Sequence, residues 1–427
     1  MIVSPEMAHI LLPVIAGVSI VLMLVRPRGI AEVYWIGGGA LLLIALRLIP
    51  LKLAGLAVAE GADVYLFLIG MMLLSELARE QGVFDWMSSV AVKSAHGSCS
   101  RLFALVYGIG TLVTIFMSND ATAVVLTPAI LAAVRKAKVQ PLPYLFVCAL
   151  IANAASFVLP ISNPANLVVF HTWMPSLTQW LASFAVPSAL SIVATFFAMR
   201  VIFRKELSET MEYQAEDVEL TMNGKFVLAG LMLMVAVLLT ASAMKKDLGL
   251  PTCLAAVAIT VAVSIKAKSN PLKLAREISW ATLILVAGLF IMVDSVESQG
   301  ALKLTHAWLT WAQELGPATG AMVAGFAVGV ANNVVNNLPL GLIAGGTLQA
   351  AHIKGLMANA VLIGVDLGPN LSVTGSLATI LWLLALRKEK IEVSFWRFLQ
   401  VGVVVMPVAL LFSLGGAILM HRLFHSS

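Results

Sequence analysis

Four short polar stretches interrupt a chain that is otherwise strongly apolar, and their residue types suit reversible polar binding. Ser118, Asn119 and Asp120 stand together in "FMSNDATAVVLTPA", with Thr122 two residues further on. Asn336 and Asn337 close "NNVVNN". Ser162, Asn163 and Asn166 belong to "PISNPAN", and Asp366, Asn370 and Ser372 to "DLGPNLS", with Thr374 just beyond it. These groups offer amides, hydroxyls and two carboxylates, and no Arg or Lys lies near any of the four stretches. An anionic substrate would meet negative charge without a fixed cation, which disfavours dicarboxylates and phosphates. A small neutral polyhydroxyl compound or a cation fits better.

Other chemistries find no support. No GxxxxGK[ST] loop occurs, so the chain does not itself hydrolyse ATP by a P-loop mechanism. No HExxH motif suggests an intramembrane enzyme. Cys99, Cys148 and Cys253 are far apart and lack CxxC spacing, so they suggest neither a disulfide framework nor a metal site. We expect no enzyme activity, no cofactor and no resident metal. His96, His306 and His352 fall in predicted loops, and the 19 methionines read as packing.

The elements that must position the polar stretches follow from composition. The chain has 427 residues, 60% hydrophobic and only 11% charged, against about 25% charged in an ordinary soluble domain. Apolar runs of about 20 residues, enough to cross a hydrocarbon core of ~30 Å, recur from end to end. The segments of alternating polarity that mark a β-barrel are missing. The fold class is therefore an all-α polytopic membrane protein, and the net charge of +5 reflects basic cytoplasmic loops rather than a nucleic-acid partner.

Spanning helices are predicted near 8–25, 31–50, 63–79, 142–175, 180–203, 225–243, 248–265, 280–297, 355–386 and 398–420. Two further stretches, 102–135 and 317–351, are broken in the middle and read as re-entrant hairpins, irregular backbone at membrane depth being tolerated only around a cavity or inside protein. With both termini outside, 20 of the 27 basic residues fall on inside loops, which supports the layout. The arrangement predicts a multi-pass protein of the cell (inner) membrane, in contact with the lipid bilayer.

The halves repeat. Gly70 in "LIGMMLLSELAREQGVF" falls over Gly288 in "VAGLFIMVDSVESQGAL", Asn119-Asp120 near Asn336-Asn337, and "ANAASFVLPISNPANL" over "ANAVLIGVDLGPNLSV". Residues 1–203 form a first transmembrane repeat with hairpin 102–135 and broken helix 142–175. Residues 225–427 form a second with hairpin 317–351 and broken helix 355–386, and 204–224 form a polar cytoplasmic linker. Five spans per half make the repeat inverted, as in many secondary transporters. Pro164 and Pro369 cannot donate to a helical ladder and should unwind the broken helices, so that four half-helix ends meet near the midplane. Each break also has a structural reading: Asn119 or Asp120 as a helix N-cap, and Asn332, Asn333, Asn336 and Asn337 as interhelical packing bonds.

The "SNDATAVVLTP" tip, the "SNPANL" break and the "DLGPNLSVTGSLATILW" stretch resemble the ArsB arsenite permease family, within the ion-transporter superfamily that includes NhaD-type sodium/proton antiporters and sodium/dicarboxylate symporters. The resemblance runs from about Arg28 to Phe424. The symporters use Ser-Asn-Thr at both tips, whereas this chain has Ser-Asn-Asp and Val-Asn-Asn. The resemblance implies arsenical resistance through export of arsenite and antimonite as neutral As(OH)3 and Sb(OH)3, whose hydroxyls can donate to carboxylate and amide oxygens and accept from N–H groups.

Moving a neutral solute uphill needs a coupled ion. One charge falling through 100 mV supplies about 2.3 kcal/mol, roughly a 50-fold gradient. Proton antiport needs a carboxylate held away from water, where it exchanges its proton nearer neutrality. Asp120 is the first candidate and Asp366 the second. Asp294 and Glu297, with Glu76 in the mirror position, read as interfacial residues near water. Two alternatives stay open: a sodium/proton antiporter with Asp120 at its cation site, and a membrane subunit driven by a soluble arsenite-stimulated ATPase docked on the acidic linker.

Overall fold

The computed structural model describes residues 5–171, 173–211, 218–244, 246–298, 300 and 302–425. The Glu297 side chain and the middle of the linker, 212–217, lie outside the described residues. Ten helices form the first half: α1 (Pro5–Val25), α2 (Glu32–Ala45), α3 (Leu51–Glu60), α4 (Ala62–Glu80), α5 (Val83–Ser94), α6 (Cys99–Phe116), α7 (Thr127–Lys136), α8 (Leu142–Ala154), α9 (Pro164–Val169) and α10 (Leu177–Ile202). Ten more follow in the same order: α11 (Met222–Ala243), α12 (Gly249–Ala267), α13 (Pro271–Glu277), α14 (Trp280–Ser298), α15 (Leu302–Glu314), α16 (Pro317–Val335), α17 (Asn337–Ala350), α18 (Leu356–Leu367), α19 (Leu377–Lys388) and α20 (Phe395–His425). Among the described residues no strand forms, and six helices are individually long and apolar enough to cross a membrane. Two bent pairs, α3–α4 and α13–α14, raise that to eight.

The packing exchanges the halves. Helix α4 lies on α12 while α14 lies on α2, and α10 packs along α20, its own counterpart. The glycines that the sequence repeat aligns make the two exchanged contacts. A Cβ on Gly70 would stand 2.9 Å from the carbonyl oxygen of Thr252, and one on Gly288 would stand 2.8 Å from the Ile36 side chain. Small residues let helix backbones approach where lipid offers no hydrophobic drive to association.

Helices α8 and α18 are innermost. Every residue of α8 but Leu142 is buried, and every residue of α18 but Asn359, as expected of helices apolar on all sides. Around α8, Phe146 meets Phe203, Trp382 and Phe398 at centroid distances of 5.6–5.7 Å, and the Trp382 indole N–H donates to the Leu145 carbonyl at 3.0 Å. The two innermost helices end at the two polar breaks, which fixes the breaks deep in the protein.

In its helix bounds the structure differs from the sequence expectation in two places. The span expected at 31–50 ends at Ala45, and the chain restarts behind Pro50 as α3. Helices α5 and α15 occupy stretches read as loops, and His306 sits on α15 rather than in a loop. Their short apolar stripes, such as Val83, Phe84, Ala91 and Val92 of α5, have helical spacing but too little total hydropathy to read as spans. The hairpin arms α6 and α16 have 18 and 19 residues and qualify singly as membrane-crossing helices, about 27 Å at 1.5 Å per residue.

Candidate solute-binding site

Each long arm ends in a turn that forces one non-glycine residue to positive φ: Ser118 at 144° after α6, and Asn336 at 79° after α16. Such conformations cost energy and persist where surrounding structure holds them. The side chains do part of that holding. Ser118 Oγ accepts from the Ala121 N–H at 3.3 Å. Asn336 Oδ1 accepts from the Leu338 N–H at 3.5 Å, and its Nδ2 donates to the Thr374 carbonyl at 3.1 Å. After the first turn the chain continues through a π-helical turn, Ala121–Leu126, before α7. Superposing the two positive-φ residues sets Asn119 against Asn337 and Asp120 against Leu338. The sequence repeat sets Asn119-Asp120 near Asn336-Asn337 without fixing this register.

The breaks after α8 and α18 are irregular chain that starts a new helix. Pro164 does not unwind a helix; it opens α9 at the position where its missing N–H costs nothing. Asn163 caps that helix, its Oδ1 accepting from the Ala165 N–H at 3.0 Å, while its Nδ2 donates to Asp366 Oδ1 at 2.8 Å across the halves. In the second half Pro369 lies in a 3-10 turn, Gly368–Asn370, and Ser376 caps α19 through the Thr379 N–H at 3.0 Å. A matching bond crosses the other way, from Asn153 Nδ2 to Asn370 Oδ1 at 2.9 Å. Asn153 and Asp366 are the penultimate residues of α8 and α18, so each innermost helix ends on a bond to the opposite half's break.

Between the tips and the breaks lies a narrow cavity. Asn119 and Asp120 line it from the first tip, Asn337 and Leu338 from the second, Asn163 and Pro164 from the start of α9, and Leu377 and Ala378 from the start of α19. Four helix N-terminal ends therefore face one space, and N–H groups there favour oxygen ligands. Leu68 of α4 and Thr282 of α14 close its sides. It has about 10 Å³ open to the centre of a water molecule, room for about one. Asn119 and Asn337 are 2% and 3% exposed, and the side-chain oxygen of each lacks a hydrogen-bond partner. Asp120 is half-buried at the cavity edge. Asp366 is fully buried behind Asn163, with its Oδ2 unpartnered.

The remaining residues singled out in the sequence make scaffold bonds rather than cavity wall. Asn166 Nδ2 ties down the irregular backbone by donating to Ser156 O at 2.8 Å, with Leu159 O and Pro160 O each at 3.3 Å. Ser162 Oγ accepts from the Leu159 N–H and donates to Ile115 O at 3.0 Å, tying the break to α6. Thr122 pairs with Thr114 at 2.8 Å. Asn370 Nδ2 donates to Leu150 O at 3.0 Å. Ser372 and Thr374 both donate to Asn333, whose Nδ2 donates to Gly368 O at 3.0 Å. Asn332 donates to Val365 O, the packing role considered for these asparagines.

Sequence reasoning missed Asn153, although an asparagine in the apolar run Leu142–Ala154 was the available signal. Leu68, Thr282, Leu377 and Ala378 carry no signal of type and enter only through geometry. The three cysteines sit on α6, α8 and α12. No group of three or more His, Cys, Asp or Glu side chains suited to a metal occurs among the described residues.

The CitMHS family model, described as citrate transporter, matches residues 2–365. Among curated proteins, an arsenical pump membrane protein of Escherichia coli is 25% identical over 406 residues, covering 91% of this chain and 94% of its own length. A putative arsenical pump membrane protein of Bacillus subtilis (strain 168) is 22% identical over 425 residues, covering 93% and 96%. An uncharacterized transporter of Mycobacterium tuberculosis is 24% identical, covering 82% and 83%. Among solved structures, the YdaH transporter of Alcanivorax borkumensis superposes with a TM-score of 0.60 at 15% identity, covering 88% of each chain. That likeness speaks to the fold alone.

Proposed function

This chain belongs to the CitMHS family, and from that premise we propose that it exports arsenite and antimonite, as neutral As(OH)3 and Sb(OH)3, from the cytoplasm in exchange for protons. The arsenical pump membrane proteins that resemble it along nearly its whole length support the substrate class. The observation that carries the reading is the pair of unpartnered acceptors, Asn119 Oδ1 and Asn337 Oδ1, facing one cavity beside the Asp120 carboxylate. Buried acceptors left without donors are costly, and a trihydroxide brings three O–H donors. Its oxygens can in turn accept from the helix N-terminal N–H groups.

Citrate, named in the family description, suits this cavity poorly. Its carboxylates would face Asp120, and none of the described residues lining the cavity is Arg or Lys. Thiols play no part in the reading: weak polar contacts release a solute faster than several As–S bonds would. Asp120 is the residue we assign to proton exchange at the cavity, and Asp366, held through Asn163, is the second carboxylate. The exchanged packing of the halves supports an inverted repeat in the membrane, with the linker on the cytoplasmic side and the tips meeting the breaks near the midplane.

The test is uptake of radiolabelled arsenite into everted vesicles. An acid-interior gradient is expected to drive accumulation that a protonophore abolishes, indifferent to sodium and ATP. Sodium dependence would shift the assignment to a cation antiporter, because a sodium ion would use the same acceptors. A requirement for ATP and a soluble partner would make the chain a pump subunit. Competition by citrate at low concentration would return the substrate to the tricarboxylates.

A further inference from the structure

A second, much larger cavity of about 480 Å³ opens beyond the central one, lined by Glu60, His171, Asp294, Gln349 and His352 among others. A neighbouring recess of about 250 Å³ shares Glu60 and His171 and adds Asp63 and Asp247. The two form one vestibule with four carboxylates. It lies at the ends of α3, α9 and α17, on the face that the charge distribution predicts to be outside.

Helix faces connect it to the central cavity. On α17, Leu338 lines the centre, while Leu342, Gly346 and Ala350 line the vestibule at successive steps of four residues. This single stripe is about 18 Å long. Thr282 and Phe290 do the same on α14, and Pro164 and Leu167 on α9. At the foot of the stripe is Asn337 with its unpartnered oxygen. Between foot and mouth stand Leu342, Phe290 and Leu167, each no more than 5% exposed, an apolar plug.

We propose that this vestibule is the outer port of the transport path and that its carboxylates act as a charge filter, admitting protons and neutral solutes and repelling anions. The inference deepens the exporter reading and rests on it only for the direction of traffic. A cleft lined by one sign of charge focuses its field and changes local ion concentrations by roughly 10- to 1,000-fold. The groups facing Glu60 and Asp294 include Asp63 from α4, Asp247 ahead of α12, His171 beyond α9 and His352 beyond α17. The Lys354 ammonium near the rim lies 5.3 Å from the Trp173 ring centre. Four carboxylates against two imidazoles leave the lining predominantly acidic. An oxyanion of citrate type would be turned away at the mouth, before the central cavity tests it.

The experiment reads charge selectivity without any arsenite. In a chain with Cys99, Cys148 and Cys253 replaced, Gln349→Cys places a thiol at the mouth and Leu342→Cys a second at the plug, with Ala350→Cys replacing either that fails to reach the membrane. Intact cells and everted vesicles are treated with a cationic trimethylammonium-ethyl methanethiosulfonate and its anionic sulfonatoethyl analogue. Labelling is expected from the cell exterior. The cationic-to-anionic rate ratio should exceed that of a small free thiol at least about tenfold, and Glu60→Gln with Asp294→Asn should bring it toward the free-thiol value. Labelling from the cytoplasmic side alone, a ratio equal to the free thiol's, or a ratio unmoved by the two neutralising substitutions would each overturn the proposal. If arsenite export fails while the selectivity stands, the substrate reading falls and the charge filter survives.

Discussion

Where the first hairpin tip carries Asp120, the second carries Leu338, although both tips hold a positive-φ residue and present an asparagine to the same cavity. The crossed bonds repeat the pattern. Asn153 meets Asn370 as amide to amide, whereas Asn163 meets Asp366 as amide to carboxyl. The polar lining is duplicated and the titratable charge is not. Each symmetric pair of positions contributes one carboxyl, one from each half, and Asn163 relates to both, lining the same cavity as Asp120 and donating to Asp366. A neutral solute can be bound by a nearly symmetric shell, since its hydroxyls present similar groups to both sides. A proton that must be taken up at one stage and released at another needs a group that differs from its counterpart.

The largest effect should follow from removing that difference. Asp120→Asn makes the tips alike in charge, and gradient-driven arsenite accumulation should collapse from roughly 50-fold at 100 mV to unity, with the protein still present in the membrane. Near-normal proton-driven accumulation would remove Asp120 from coupling. Adding Leu338→Asp to Asp120→Asn moves the charge to the mirror tip. Accumulation in everted vesicles should stay lost, because Leu338 begins the α17 stripe rather than a π-helical turn; full recovery would show that either tip can carry the charge.

Asp366→Asn should act less severely. The neutral amide can still accept from Asn163, so the cross-link survives as an ordinary hydrogen bond worth about 1 kcal/mol. Export is expected to fall about tenfold, the equivalent of ~1.4 kcal/mol, with a flatter dependence on pH. A thermal midpoint and pH profile both unchanged from the parent would leave Asp366 as packing.

The same contrast shows how far the sequence could be read. Polar residues inside apolar runs are expensive, so the tips at Asn119 and Asn337 and the breaks at Asn163 and Asp366 announced themselves by type. Their register did not, because it depends on which residue takes positive φ, and Ser118 and Asn336 differ in type; the repeat sets Asn119-Asp120 only near Asn336-Asn337. Pro164 was legible as a discontinuity but not as the start of α9, since the capping bond from Asn163 is a matter of geometry. Asn166, Asn370, Ser372 and Thr374 share the composition of a binding site, yet Asn166 spends its hydrogen bonds on the irregular backbone, Asn370 on α8, and Ser372 and Thr374 on Asn333 of α16. Amphipathic α5 and α15 were hidden by moderate hydropathy.

The two cavity asparagines sharpen the comparison at smaller scale. Asn119→Ala and Asn337→Ala should each weaken arsenite binding by roughly 0.5–1.5 kcal/mol, the net worth of one hydrogen bond. In a double-mutant cycle they should be non-additive, because both oxygens serve one solute. Asn370, whose two polar atoms are engaged with Asn153 and Leu150, should affect stability rather than binding. Strict additivity of the Asn119 and Asn337 effects would mean that the tips bind separately.

The smallest effect concerns the turns themselves. Ser118 at φ 144° and Asn336 at φ 79° occupy equivalent positions with unequal support. Ser118 has one 3.3 Å bond to the Ala121 N–H. Asn336 uses both ends of its side chain, bonding Leu338 and Thr374. Glycine adopts positive φ without steric penalty, so Ser118→Gly gives up a weak bond and relieves a strain of order 1 kcal/mol. Asn336→Gly relieves a strain of the same order but loses two bonds. The first substitution should leave the thermal midpoint unchanged or raise it by up to a few degrees, and the second should lower it. If both lower it equally, the serine side chain holds its tip as firmly as the asparagine does, and the halves differ in charge but not in how their turns are secured.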